Sequence, residues 1–306
     1  WSRPAPPSVA EATRRAAAAE VRGPGIVPPV RRSLHMLSDD FPRWRATNVR
    51  PQRQEGYAVV SVTLPLGDLT GAQMRVVADL ALACGDGTVR VTHNQDLVFR
   101  WIRATEVPEL YRRLAAAGLG LADANTLADV TSCPGAEACR LAVTQSRGLG
   151  KLLGDHLRER PDLVAAVPGL DIKTSGCPNG CGQHHIAGLG FQGSVRKVGD
   201  KVVPQYFVML GGGTDEAGAT FGRLAAKVPA RRIPQVVERL VALYTEERAP
   251  GETAPAFFRR VALPRVKARL ADLEALAPED AVAADFIDLA EETEFKVETQ
   301  EGECAA

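Results

Sequence analysis

Four of the six cysteines in this 306-residue chain fall in two tight pairs, Cys133-x5-Cys139 and Cys177-x3-Cys181, set in the segments TSCPGAEACRLAV and TSGCPNGCGQHHIAG. No other feature restricts the fold as strongly, because side chains of one reactive type must converge from two loops that are distant in the chain. Disulfide pairing needs an oxidising compartment. The opening WSRPAPPSVAEATRRAAAAE lacks the basic-then-apolar layout of an export signal, so a cytoplasmic location is expected, where paired cysteines serve metal or redox chemistry. Structural zinc sites favour two to four residues between paired ligands, and a five-residue gap fits them poorly. An iron–sulfur cube presents its irons at separated corners and takes four thiolates. The spacing favours a cluster and leaves zinc as the alternative. Pro134, Gly135, Pro178, Gly180 and Gly182 limit bulk around the cysteines and permit unusual backbone angles. Main-chain N–H groups can then turn toward the sulfides of a cluster.

Composition adds exclusions. With 45% apolar and 24% charged residues the chain can bury a substantial core and form more than one domain. Thirty-seven basic residues balance 37 acidic ones, so no overall attraction to nucleic acid or anionic membrane is implied. No run is long and apolar enough to predict a membrane span. The chain begins at Trp1 rather than methionine, which suggests processing or a fragment of a longer polypeptide.

Residues 1–50, with RPAPP and GPGIVPPV, read as an extended N-terminal arm or linker, and the basic run Arg43, Arg45, Arg50 and Arg53 at its end as a solvated loop. From Tyr57, YAVVSVTL predicts a strand, and Asp68 or Thr70 caps a helix that places Cys84 among buried apolar residues. Strand, polar turn, strand and a second helix follow to residue 122. Helices are predicted at about 136–147 and 149–159, then a strand at LDIKTSG, a hairpin around Gly199, an amphipathic helix over ARRIPQVVERLVALYTEER and two shorter helices within 253–274.

The pattern C-x5-C followed by GCPNGCG resembles the sulfite and nitrite reductase haemoproteins. NVRPQRQEGYAVVSVTL, VRVTHNQDL, GQHHIAGLGFQGS and VMLGGG extend the likeness from about residue 40 to the C-terminus. The resemblance implies an α+β fold: a ferredoxin-like half-domain over 51–122, the second of two repeats in the family, followed by a mixed α/β sirohaem and 4Fe-4S domain over 123–306 with an acidic C-terminal tail. It implies that Cys133, Cys139, Cys177 and Cys181 hold a 4Fe-4S cluster and that Cys181 also ligates sirohaem iron. Arg90, Thr92, Asn94 and Gln95 would face the sirohaem carboxylates or ring edge, and Asn179 would support the second cysteine loop. The T-H-N-Q at Thr92–Gln95 matches the second repeat, so the chain resembles a C-terminal half, and the catalytic residues that grip substrate lie mainly in the missing N-terminal half.

The implied activity is the six-electron reduction of sulfite to sulfide or nitrite to ammonia, with an electron donor such as ferredoxin, no nucleic acid and no membrane as partners. Sulfite is preferred because the segments look closer to bacterial sulfite-assimilating members. The alternatives are nitrite reduction as the main activity, an electron-transfer module without sirohaem, and a zinc- or cluster-stabilised binding protein. His184 and His185 are read as locally packed and Leu210–Gly213 as a turn. Lys173 and Lys197 are candidate positive charges near an anionic macrocycle, Arg231 and Arg232 start a helix, and Cys304 is a free thiol in a mobile tail.

Overall fold

Phe41 and Trp44 stand three residues apart in an otherwise polar, arginine-rich segment, a spacing that puts both on one face of helix α1 (Phe41–Asn48). Trp44 is fully buried and packs against Tyr111 with the rings tilted and their centroids 4.8 Å apart. The computed structural model describes residues 38–215 and 218–297, and the chain divides into two units after Ala124. The predicted arm is thus corrected over its last part: residues 41–48 are helical and Val49–Pro51 forms the edge strand β1. Two aromatic anchors are too few to create a visible apolar period, yet they suffice to dock one short helix. Arg43 is likewise not a solvated loop residue, since its guanidinium pairs with Asp123 at 2.6 Å. Residues 1–37, and the tail bearing Cys304, lie outside the described residues.

The rest of the first unit follows its patterning. In β2 (Tyr57–Val62) Ala58, Val60 and Val62 point inward while the alternate residues stay half-buried. Thr70 caps α2 (Gly71–Cys84) through a capping box with Gln73, and Cys84 sits in the apolar core as expected. Strand β3 (Arg90–Val91) and β4 (Leu97–Arg103) flank the polar turn, and α3 (Val107–Ala116) closes the unit. The sheet order is β1-β2-β4-β3, antiparallel throughout.

In the second unit, β5 (Thr131–Ser132) leads into the first cysteine loop, which returns through α4 (Ser146–Glu159) and α5 (Pro161–Ala166) to β6 (Ile172–Ser175). The helix predicted at 136–147 is replaced by a single 3-10 turn at Gly135–Glu137 and an irregular return. The backbone has other partners there: Ala136 N–H donates to Thr144 O at 3.1 Å and Val143 N–H to Gly176 O at 2.8 Å. The long hairpin β7 (Leu189–Val198) and β8 (Lys201–Leu210) turns at Gly199. A small ribbon, β9 (Gly213–Asp215) with β10 (Gly218–Thr220), precedes β11 (Arg223–Pro229). Helices α6 (Ile233–Glu247), α7 (Ala254–Arg260) and α8 (Leu263–Glu274) complete the unit. The sheet runs β11-β8-β7-β6-β5, parallel from β5 to β7 and antiparallel beyond. Leu149, Leu153 and Leu157 of α4 share one core with Val236, Leu240 and Val241 of α6. Among the described residues, no helix is long and apolar enough to cross a membrane.

Leu240 is fully buried in that core. Leu240→Ala is expected to lower the unfolding free energy by about 2–5 kcal/mol, through lost transfer energy plus a residual cavity. Urea titration followed by circular dichroism checks this; an unchanged midpoint would contradict the packing.

Candidate metal centre

The two cysteine loops leave the sheet at the same place. Parallel pairing sets Ser132 opposite Thr174, so Cys133 and Cys177 follow the carboxyl ends of neighbouring strands β5 and β6, the end at which open α/β sheets bind ligands. Cys133 N–H donates to Thr174 O at 3.2 Å, and Val143 and Thr144 N–H both reach Gly176 O, tying one loop to the other. Cys133 and Cys177 are buried, Cys139 is half-buried and Cys181 is exposed. The segment joining β6 to β7 carries Cys177 and Cys181 and makes its parallel crossover with only a 3-10 turn at His184–Ile186.

Such a tight crossover requires close backbone approach. A Cβ on Gly182 would lie 1.9 Å from Thr174 O, and one on Gly176 would lie 2.6 Å from Thr144 O. Backbone N–H groups turn toward cysteine sulfur in these loops. Gly176 N–H donates to Cys133 Sγ at 3.2 Å. Burial pushes the Cys177 thiol up, an effect the Asn179 N–H counters; thiolates at Cys133, Cys139 and Cys181 raise it further. All three other sulfurs therefore act electrostatically on Cys177. Yet among the described residues no three Cys, His, Asp or Glu side chains are grouped to hold one metal ion. Four soft donors on two adjoining loops, three of them acting on Cys177 and two accepting from backbone N–H groups, fit a multi-iron cluster in chemistry and in hydrogen bonding.

The other sequence candidates divide between the units. Arg90 ends up exposed on β3, and Thr92, Asn94 and Gln95 form the turn between β3 and β4, with Gln95 in the left-handed region at φ 71°. Thr92 N–H donates to Asp96 O at 2.9 Å and closes the turn. These four belong to the first unit, the cysteines to the second. Asn179 is exposed between Cys177 and Cys181. Lys173 is buried beside the second loop, its ammonium 3.2 Å from Gln183 Oε1, whereas Lys197 is exposed on β7. Burial lowers the Lys173 pKa, with Asp171 and Asp129 opposing that shift. Glycines 211 and 212 are consumed by packing against the Phe258 and Ala187 carbonyls. Arg231 and Arg232 donate to carbonyls of residues 284–287 and 272–275.

His184 is fully buried, stacks on His185 at 3.9 Å and meets Gln192 Oε1 at 3.3 Å. Burial, then the neighbouring His185, lowers its pKa to about 4 despite the Gln192 bond. It is a neutral packed imidazole near pH 7.

Sequence reasoning missed the segment from Asp288 to Lys296, which lines a cavity of about 730 Å³ together with the Cys139 loop. Asp288 accepts from Gln145 N–H at 2.8 Å, and Gln145 Nε2 donates to Glu291 at 2.6 Å. Burial raises the Asp288 pKa to about 6. Nothing in an acidic, aperiodic stretch signals such a fastening.

Residues 50–117 match the nitrite/sulfite reductase ferredoxin-like half domain, and residues 123–270 match the nitrite and sulphite reductase 4Fe-4S domain. A ferredoxin sulfite reductase of Mycolicibacterium paratuberculosis is 31% identical over 205 residues, covering 65% of this chain and 37% of that protein. A ferredoxin–nitrite reductase of Synechococcus elongatus is 28% identical over 194 residues, covering 63% and 37%. The chain thus spans just over a third of the length of these relatives. The solved NirA protein of Mycobacterium tuberculosis shares the fold at a TM-score of 0.62 and 23% identity, over 85% of this chain and 47% of that one.

Gly182→Ala is expected to displace the second cysteine loop, because the new methyl would overlap Thr174 O. Iron per chain after anaerobic purification should fall roughly tenfold or more, in line with losses of support around metal ligands; wild-type iron content would refute the packing argument.

A second expectation concerns pH. An unfolded histidine titrates near 6.5, above the folded value of about 4 for His184. Between these values the unfolded chain binds more protons, so this contribution to stability is present above pH 6.5 and is lost as pH falls toward 4. Unfolding titrations of the metal-free chain and His184→Gln should differ in slope across that window; parallel profiles would show that His184 ionises freely.

Proposed function

This chain belongs to the nitrite and sulfite reductase family, and from that premise we propose that it is the cofactor-bearing C-terminal half of a ferredoxin-dependent reductase converting sulfite to sulfide. The observation that carries the reading is the departure of both cysteine loops from the carboxyl ends of the neighbouring strands β5 and β6, with Cys181 exposed while Cys133 and Cys177 are buried. Nitrite reduction to ammonia is the second reading, supported by likeness to nitrite as well as sulfite reductases.

When bound, the 4Fe-4S cluster and sirohaem supply single-electron storage and a reducible iron at which an oxyanion is reduced by six electrons. The chain's own part is to hold and shield these groups. Cys133, Cys139, Cys177 and Cys181 would provide four thiolates, and the exposed Cys181 would be the one accessible to a second iron. Gly176 and Asn179 N–H stabilise negative charge on Cys133 and Cys177. Arg90, with Thr92, Asn94 and Gln95 on the same turn, would meet sirohaem carboxylates. Ferredoxin as donor, sulfite or nitrite as substrate, and an N-terminal half supplying the oxyanion-binding arginines and lysines complete the proposal.

In the full-length polypeptide purified anaerobically, visible bands of sirohaem are expected, with turnover of sulfite by reduced ferredoxin. Cys181→Ser should lower that turnover on the order of a hundredfold or more. Full activity in the variant would contradict the assignment, and a higher kcat/KM for nitrite than for sulfite would select the second reading.

A further inference from the structure

Ser146 opens α4 and is fully buried against the first cysteine loop. Its Oγ lies 3.1 Å from Cys133 Sγ and donates to Cys133 O at 2.9 Å. The loop is shaped to admit this hydroxyl: Gly135 has φ 63°, and a Cβ there would stand 2.5 Å from Ser146 Oγ. The same Cys133 carbonyl also accepts from Ser132 Oγ at 3.0 Å. Cys133 Sγ meanwhile accepts from Gly176 N–H at 3.2 Å.

A serine hydroxyl carries one hydrogen. A cysteine sulfur bound to iron has no proton to give and acts only as an acceptor, so the Ser146 hydrogen faces two acceptors on one residue, the carbonyl and the sulfur. Because Ser132 keeps the carbonyl satisfied, the hydrogen can turn to sulfur without orphaning a buried group. Added negative charge makes sulfur the better acceptor, and charge-assisted hydrogen bonds are roughly twice as strong as neutral ones. Burial of Ser146 and Cys133 strengthens the effect.

We propose that Ser146 is a positioning residue that sets the reduction potential of the cluster, its hydroxyl turning from the Cys133 carbonyl to the Cys133 sulfur when the cluster gains an electron. This deepens the reading of the four cysteines as cluster ligands and rests on it. Hydrogen bonds to ligand sulfur stabilise the reduced cluster and raise its potential. Ser146 therefore makes the cluster easier to reduce, and Ser132 supports it by leaving its hydrogen free to turn.

Redox titration followed by electron paramagnetic resonance of the anaerobically purified chain tests this. Ser146→Ala is expected to keep the cluster and move its midpoint to more negative values by a tenfold change in the reduction equilibrium, about 59 mV for one electron. Ser132→Ala should move it the same way by less, because the Ser146 hydrogen is then needed at the carbonyl. A wild-type midpoint in Ser146→Ala overturns the proposal. If that variant retains no cluster, Ser132→Ala decides: a negative shift supports the proposal and an unchanged midpoint overturns it. A wild-type chain without any iron–sulfur signal refutes the ligand reading itself, an outcome distinct from an intact cluster of unaltered potential.

Discussion

Parallel pairing of β5 with β6 is the constraint on which the candidate centre depends. It aligns Ser132 with Thr174 and so delivers two loops, remote in sequence, to one end of the sheet. The long hairpin β7–β8, packed under the helices, flanks β6 on one side and leaves β5 as its partner on the other. Without that fixed register the two cysteine pairs would be two independent motifs. With it, both pairs leave the same end of the sheet, and each of the other three sulfurs contributes to the field at Cys177.

Close backbone approach is the second requirement, and glycine supplies it. Gly176 and Gly182 lie where a methyl group would overlap carbonyl oxygens, and Gly135 makes room for a hydroxyl beside Cys133. The same compactness turns N–H groups toward sulfur, which links the packing of the loop to the electronics of whatever the sulfurs bind. A looser loop would leave the thiolates without these donors.

Much of this was legible in the sequence because it depends on residue type and spacing. The cysteine pairs, the flanking glycines, a helix cap at Asp68 or Thr70 and the apolar face around Leu240 each announce themselves locally. What escaped depends on contacts made across the chain. Helix α1 rests on two aromatic side chains, too few to form a period. The stretch around 136–147 has helical composition, yet its N–H groups are claimed by Thr144 and Gly176 carbonyls. Ser146 and Asp288 acquire their roles only when folding brings Cys133 and Gln145 to them. The cofactor-facing roles of Arg90 and the Thr92–Gln95 turn rest on likeness to the family, since those residues belong to the other unit.

The central claim is that the four cysteines hold an iron–sulfur cube, and Mössbauer spectroscopy of the anaerobically purified chain grown on 57Fe, with chemical assay of acid-labile sulfide, addresses it most directly. The account predicts about four irons and four sulfides per chain with the averaged spectrum of a 4Fe-4S cluster. A chain containing one zinc and no labile sulfide would contradict it.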